Sequence, residues 1–195
     1  MFDYLRQHIA LRISVTEEEF PYCTSIFVPK RIRKDAFLVQ EGEISRYLAF
    51  VTHGCLRQYT VDKKGEEHVV QFATEGWWIS DMYSFLTGKE ATSFIDALEQ
   101  SDVLLLDNVA YEKLCETVPK FERYFRILLQ NNYIATQRRI VASLSLSAEE
   151  QYLQLMETYP AIVQRVAQRQ IASYLGITPE ALSRIRGRIA KHAKK

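Results

Sequence analysis

The sequence predicts an α+β chain: a β jelly roll, then one long helix, then a small helix-turn-helix domain. Three observations carry this prediction. Glycines recur at near-constant spacing through the first half, a run without Gly or Pro follows the middle, and a capped two-helix pattern lies near the end. A chain of 195 residues suits one medium and one small domain, and 47% hydrophobic with 25% charged residues is ordinary globular composition.

The roll comes first. Gly42, Gly54, Gly65, Gly76 and Gly88 are separated by 12, 11, 11 and 12 residues. Short β-rich runs lie around them: RYLAFVTH, CLRQYTV, EHVVQFAT, then SFIDALE and DVLLLD. Turn glycines at that interval, with strands between, predict a sandwich or jelly roll of about eight strands.

After Asp107 the texture becomes helical. NVAYEKLCETV reads as a short helix stopped by Pro119, and Lys120 to Leu144 contains neither Gly nor Pro. Such a run would extend about 38 Å at 1.5 Å per residue, more than packing on a small roll requires. It predicts a connecting or dimerising helix. Two apolar seams fit helical spacing, Phe121, Phe125, Leu128, Asn132 and Ala135 on one side, and Leu129, Tyr133, Ile140 and Leu144 on the other. One would face the roll and the other a partner; spacing alone leaves open which.

In SAEEQYLQLMETYP, Ser147 and Glu150 form a capping-box pattern and Pro160 ends the helix. The predicted organisation is therefore a sensing roll with flanking helices over 1–118, the long helix over 119–145, and a DNA-binding domain over 146–195.

That last assignment rests on QRQIASYLGITPEALSRIRGRI. Ile171, Leu175, Ile177, Leu182 and Ile185 supply the apolar positions for two crossing helices, Ala172 permits close contact, and Gly176 suits a left-handed turn. Thr178 is placed to cap the second helix, Pro179 tolerates its first turn, and Glu180 complements its positive end. Leu182, Ile185 and Ile189 would be buried, leaving Glu180, Ser183, Arg184, Gly187, Arg188 and Lys191 outside. In such a motif the outer face enters the major groove of double-stranded DNA. Arg184 suits bidentate donation to guanine, Glu180 suits acceptance from cytosine N4, and Ser183 a less selective base contact. Arg169, Gln170, Thr178, Arg186 and Arg188 are the candidate phosphate contacts.

Charge distribution agrees. The formal net charge is +1, yet from Ala161 onward eight Lys/Arg face one acid, Glu180, whereas the first 160 residues hold 17 Lys/Arg and 23 Asp/Glu. A basic module for phosphate backbones is attached to an acidic body.

Other function classes lack their signatures. Cys23, Cys55 and Cys115 stand 32 and 60 residues apart, without the clustering of a zinc or iron-sulfur site, and are expected to be reduced thiols. His8, His53, His68 and His192 are scattered, against a cupin-like metal enzyme. No phosphate loop, nucleophile motif or paired-carboxylate signature is present, so the chain is not expected to be an enzyme. MFDYLRQHIALRI carries Asp3, Arg6, His8 and Arg12 where a signal peptide needs an apolar run, which predicts a cytoplasmic protein without a membrane partner.

With FLVQEGEISRYLAFVTHGCLRQY, GEEHVVQFATEGWW, the long helix and the C-terminal motif in that order, the chain resembles the Crp/Fnr superfamily of bacterial transcription regulators, from roughly Thr24 to Ile189. The resemblance implies a cyclic-nucleotide-binding-domain-like roll and a winged-helix-like C-terminal domain. It also implies a homodimer through the long helix on a palindromic site, with RNA polymerase as a further partner. Glu180, Ser183 and Arg184 are similar to recognition helices of the fumarate/nitrate branch, implying a TGA-containing half-site; Pro179 departs from that pattern.

Cyclic-nucleotide members hold the ribose with a Gly-Glu pair and the phosphate with an Arg-Ser pair. Aligned through Gly88, this chain offers Ser80 and Asp81, then Ala91 and Thr92. Ala91 removes the charge-assisted partner of the phosphate, so cyclic AMP is disfavoured as the effector. Another small molecule, or none, is expected there, with Tyr59, Trp77, Trp78, Tyr83, Phe85 and Tyr133 either lining a cavity or forming plain core. Haem held by His53 or His68 has no supporting motif. The competing reading is a cyclic-nucleotide-binding module acting through protein partners, for which a groove-reading helix has no use.

Overall fold

The computed structural model describes residues 1–192, which leaves Lys194 and Lys195 of the basic run outside the description. Its contacts divide the chain into two units, Met1–Thr60 with Gln71–Asn132, and Val61–Val70 with Tyr133–Lys195.

Two helices, α1 (Phe2–Ala10) and α2 (Glu19–Ser25), precede the roll. Its strands are β1 (Val28–Ile32), β2 (Phe37–Val39), β3 (Tyr47–His53), β4 (Leu56–Val61), β5 (Glu67–Ala73) and β6 (Trp78–Ile79). After α3 (Met82–Thr87) come β7 (Phe94–Ala97) and β8 (Ser101–Asp107). They form two four-stranded sheets, ordered β1-β8-β3-β6 and β2-β7-β4-β5. The expected eight strands and jelly roll are present.

Strands β3 and β8 of the first sheet are buried on both faces, and this explains their sequence. On β3 and β8, Ala49, Val51, Val103 and Leu105 point into the sandwich with Leu56, Ile79, Ile95 and Ala97. The alternate residues Leu48, Phe50, Leu104 and Leu106 pack instead with Leu5 and Ile9 of α1 and with Phe121, Tyr124 and Phe125. A strand covered on both sides reads as a continuous apolar run, as DVLLLD does.

Turn glycines do the predicted work. Gly42, Gly54, Gly65, Gly76 and Gly88 all have positive φ, between 68° and 99°. Gly54 is the most demanding, because a Cβ there would also run into the Ser101 backbone at 2.6 Å.

Helix α4 (Asn108–Thr117) is followed by α5 (Lys120–Ser145), 26 residues long. The two seams of α5 now separate. Phe121 and Phe125 are buried and Leu128 packs against the same core, whereas Asn132 and Ala135, further along that seam, are exposed, as are Leu129, Tyr133, Ile140 and Leu144 of the other.

One polar network is sealed into this helical core. The Tyr124 hydroxyl meets His8 Nδ1 at 2.7 Å and accepts the Trp78 indole N–H at 3.1 Å. Burial, reinforced by the Arg12 charge, lowers the His8 pKa to about 4. Folded His8 is thus neutral where unfolded histidine, near 6.5, takes up a proton, so stability falls as pH drops from about 6.5 to about 4. Urea midpoints measured across that window are expected to fall more steeply for the wild type than for His8→Gln. Parallel curves would remove His8 from the account.

The remaining helices are α6 (Ala148–Thr158), α7 (Pro160–Arg165), α8 (Gln168–Tyr174) and α9 (Pro179–His192). Ser147 caps α6 with the expected reciprocal box: its hydroxyl accepts the Glu150 N–H and the Glu150 carboxylate accepts the Ser147 N–H. Residues 148–192 contain no strand, so the expected winged-helix-like domain is built from helices in this segment.

Candidate nucleic-acid interface and small-molecule cavity

Helices α8 and α9 make the predicted helix-turn-helix. Gly176 takes φ 67° between them, with its N–H donating to Ser173 O and the Ile177 N–H donating to Ala172 O, both at 3.0 Å. Ile171, Ala172, Leu182 and Ile185 are buried, and Leu175, Ile177 and Ile189 half-buried. The Thr178 hydroxyl accepts the Ala181 N–H at 3.2 Å, closing the first turn of α9.

Glu180, Ser183 and Arg184 lie exposed on the first two turns of α9. Backbone hydrogen bonding and the Thr178 hydroxyl hold the Glu180 carboxyl below the usual carboxylate range. It is therefore an ionised acceptor at neutral pH. Arg184 lies along its own helix, with Nε 3.4 Å from Glu180 O, and is exposed.

The expected phosphate contacts divide. Arg169, Thr178 and Arg186 are exposed, Gln170 is half-buried, and Arg188 is already engaged. Its Nε and Nη2 donate to Glu149 Oε2 at 3.0 and 2.6 Å. A phosphate would have to replace Glu149, so Arg188 differs from the other cations on α9. Nothing local in the sequence signals this pair, since 39 residues separate Glu149 from Arg188.

The first unit carries a shallow cavity, wide open to solvent and of about 700 Å³, lined by Glu41, Gly42, Ile44, Tyr83, Gly88, Lys89, Glu90, Ala91 and Thr92. Its walls are fastened together, because the Gly42 N–H donates to Ala91 O at 2.9 Å and the Ala91 N–H to Glu43 O at 2.7 Å.

Of the ten residues expected at the pocket, Tyr83, Ala91 and Thr92 line this cavity; the other seven are placed elsewhere for identifiable reasons, Phe85 in the helical core. Asp81 is 2% exposed and its carboxylate is used internally. Oδ1 accepts the Ser84 N–H at the start of α3, and Oδ2 accepts the Thr92 N–H at 3.1 Å and the Ser93 hydroxyl at 2.7 Å. Ser80 bonds Ser45 and Tyr47 O. Tyr59 is buried, stacked on Phe94 beneath the Arg57 guanidinium. Trp78 belongs to the core around Phe50 and Phe125, Trp77 packs on the sandwich core, and Tyr133 is exposed on α5.

Cavity chemistry follows from the lining. Two carboxylates, Glu41 and Glu90, face one ammonium, Lys89, and the apolar surface comes from Ile44, Tyr83 and Ala91. No arginine is among these residues, and the Asp81 carboxylate stands directly behind Thr92.

Neither histidine considered for haem lines the cavity: His53 is exposed near Glu75, and His68 pairs with Asp62. Asp62, Glu66 and His68 bring three exposed ligand-type atoms within 4.8 Å of one another at the β4–β5 turn. Asp62 is there chiefly a turn acceptor, bonding the Lys64 and Glu66 N–H groups. The three cysteines are buried free thiols. Among the described residues, no helix is long and apolar enough to cross a membrane.

Residues 29–118 match the cyclic nucleotide-binding domain family. The chain is 26% identical over 200 residues to the fumarate and nitrate reduction regulatory protein of Vibrio cholerae, covering 94% of this chain and 77% of that protein. It is 25% identical over 197 residues to the regulatory protein HlyX of Actinobacillus pleuropneumoniae, covering 94% and 80%. Among solved structures, FixK2 from Bradyrhizobium japonicum superposes with a TM-score of 0.72 at 18% identity over 86% of each chain.

Proposed function

We propose that this chain regulates transcription by binding a palindromic DNA site as a homodimer, a reading supported by its similarity over 94% of its length to the fumarate and nitrate reduction regulatory protein of Vibrio cholerae and to HlyX. The observation that carries this is the outer face of α9, where Glu180, Ser183, Arg184, Arg186 and Lys191 are exposed on a helix whose opposite face packs through Leu182 and Ile185. Glu180, Ser183 and Arg184 read base edges, and Arg169, Gln170, Thr178, Arg186 and Arg188 hold phosphates. The exposed seam of α5 supplies the dimer contact, and RNA polymerase is the downstream partner in this reading.

The cavity in the roll is the place for an effector. Its excess of carboxylates and the lack of an arginine count against cyclic AMP.

Selecting sites from a random DNA pool tests the reading. Enrichment of a palindrome, with affinity falling steeply as salt rises, is the expected result; salt-independent binding to any sequence would sink it. Arg184→Ala is expected to weaken binding to the selected site by about 1–3 kcal/mol and to relax preference at one base of each half-site. Arg188→Ala should weaken all sequences alike, and its loss of the exposed Glu149 pair should change stability by no more than about 1 kcal/mol. Identical specificity profiles for the two variants would refute the division between base and phosphate roles.

A further inference from the structure

Gly187 stands in the interior of α9, one turn beyond Ser183 and Arg184. Glycine in a helix interior is destabilising relative to alanine, because it loses the most backbone freedom on folding. Elsewhere in this chain such residues have a local reason: Gly54 and Gly176 take positive φ, and Gly54 also abuts Ser101. Gly187 has neither. Its φ is not positive, and a Cβ built on it meets no atom within 4 Å. Nothing within the described residues accounts for the missing side chain.

Its position on the helix does. At 3.6 residues per turn, Gly187 projects within about 20° of Glu180 and about 40° of Ser183 and Lys191, and within about 60° of Arg184. It is thus the centre of the exposed stripe, on the side opposite buried Leu182 and Ile185. Long side chains border it on both sides along the axis, Arg184 and Lys191, so the helix surface carries a notch floored by its own backbone.

We propose that Gly187 is a positioning residue of the DNA interface, its missing Cβ letting the duplex seat against the α9 backbone so that Ser183 and Arg184 reach base edges. The inference rests on the DNA-binding reading above. Any side chain at 187 would hold the helix away from the groove by the thickness of its first carbon. The base contacts would lengthen before the phosphate contacts of the flexible arginines did. The loss should therefore be larger on the selected sequence than on random DNA.

The test is Gly187→Ala in the full chain, with melting temperature and DNA affinity measured together. Alanine should raise the melting temperature by about 1–4 °C. It should also lower affinity for the selected site about tenfold or more, the scale of one weakened base contact, with a smaller loss on random duplex. Gly187→Leu should bind more weakly still. Unchanged selected-site affinity would overturn the proposal, as would a lowered melting temperature, since glycine would then serve the fold. If the wild type binds no DNA at all, the functional reading has failed, which is a different result from an alanine variant that binds like the wild type.

Discussion

Arg57→Leu is expected to cost about 3–5 kcal/mol of folding stability, because it strands a buried carboxylate. Arg57 on β4 and Asp96 on β7 are directly opposed in the ladder, and they are 5% and 7% exposed. Nε donates to Asp96 Oδ1 at 2.8 Å and Nη2 to Oδ2 at 2.9 Å, a fork on fork. The guanidinium also lies 4.0 Å over the Tyr59 ring. Removing the cation leaves Asp96 without its counter-charge in a low-dielectric setting, and the loss is a large share of the total stability of a typical domain, about 5–15 kcal/mol. Arg57→Lys should recover only part, since a point charge cannot supply the planar fork.

The decisive variant is the double one. Replacing both Arg57 and Asp96 by leucine removes the desolvation of two charges together with their attraction, and such exchanges are often close to neutral. Urea unfolding of the two single variants and the double variant measures the coupling. A single variant that loses less than about 1 kcal/mol would show that water or a rearranged partner reaches Asp96. The pair also bears on function, because β7 begins immediately after Thr92 and Ser93, the residues that Asp81 ties to the start of α3. One wall of the cavity is thereby anchored to the ladder that the pair stabilises.

How much of this was legible beforehand depended on how local each signal was. The helix-turn-helix was readable almost to the residue, since Gly176, Thr178 and Pro179 each act on their own turn and the buried positions follow one helical period. Strand turns were readable for the same reason, through glycines that take positive φ. The cavity was not. The tie in its wall between Gly42 and Ala91 joins backbone groups 49 residues apart in sequence, and the carboxylate of Asp81 looked available until its three donors were in view. Tyr59 and Trp78 have the composition of a pocket wall, but aromatic residues carry no mark that separates lining from core. The two seams of α5 lay between these cases. Periodicity found both, and only the position of the roll core showed that Phe121 and Phe125 are covered.

That assignment turns the other seam into the second large prediction. Leu129, Tyr133, Ile140 and Leu144 are 47%, 64%, 47% and 83% exposed, and at 3.6 residues per turn they lie within about 60° of one another. A narrow apolar stripe of this kind on an exposed helix matches the seam of a two-helix contact. Fully burying each side chain against a second copy would contribute about 1.5–3 kcal/mol before the entropy of association is subtracted. Ile140→Glu combined with Leu144→Glu places two like charges per chain into that seam. Neither side chain is buried in the single chain, and glutamate is a good helix former, so the fold should survive. Sedimentation is then expected to find a dimer for the wild type and monomers for this variant. Affinity for the palindromic site should drop about 10²–10⁴-fold, since each half-site is now bound without the effective concentration that a linked partner supplies. Binding to an isolated half-site should change little, which separates loss of pairing from damage to α9. A variant that still sediments as a dimer would move the interface to another surface, and a wild type that sediments as a monomer while binding the full site tightly would dismiss this helix pairing altogether.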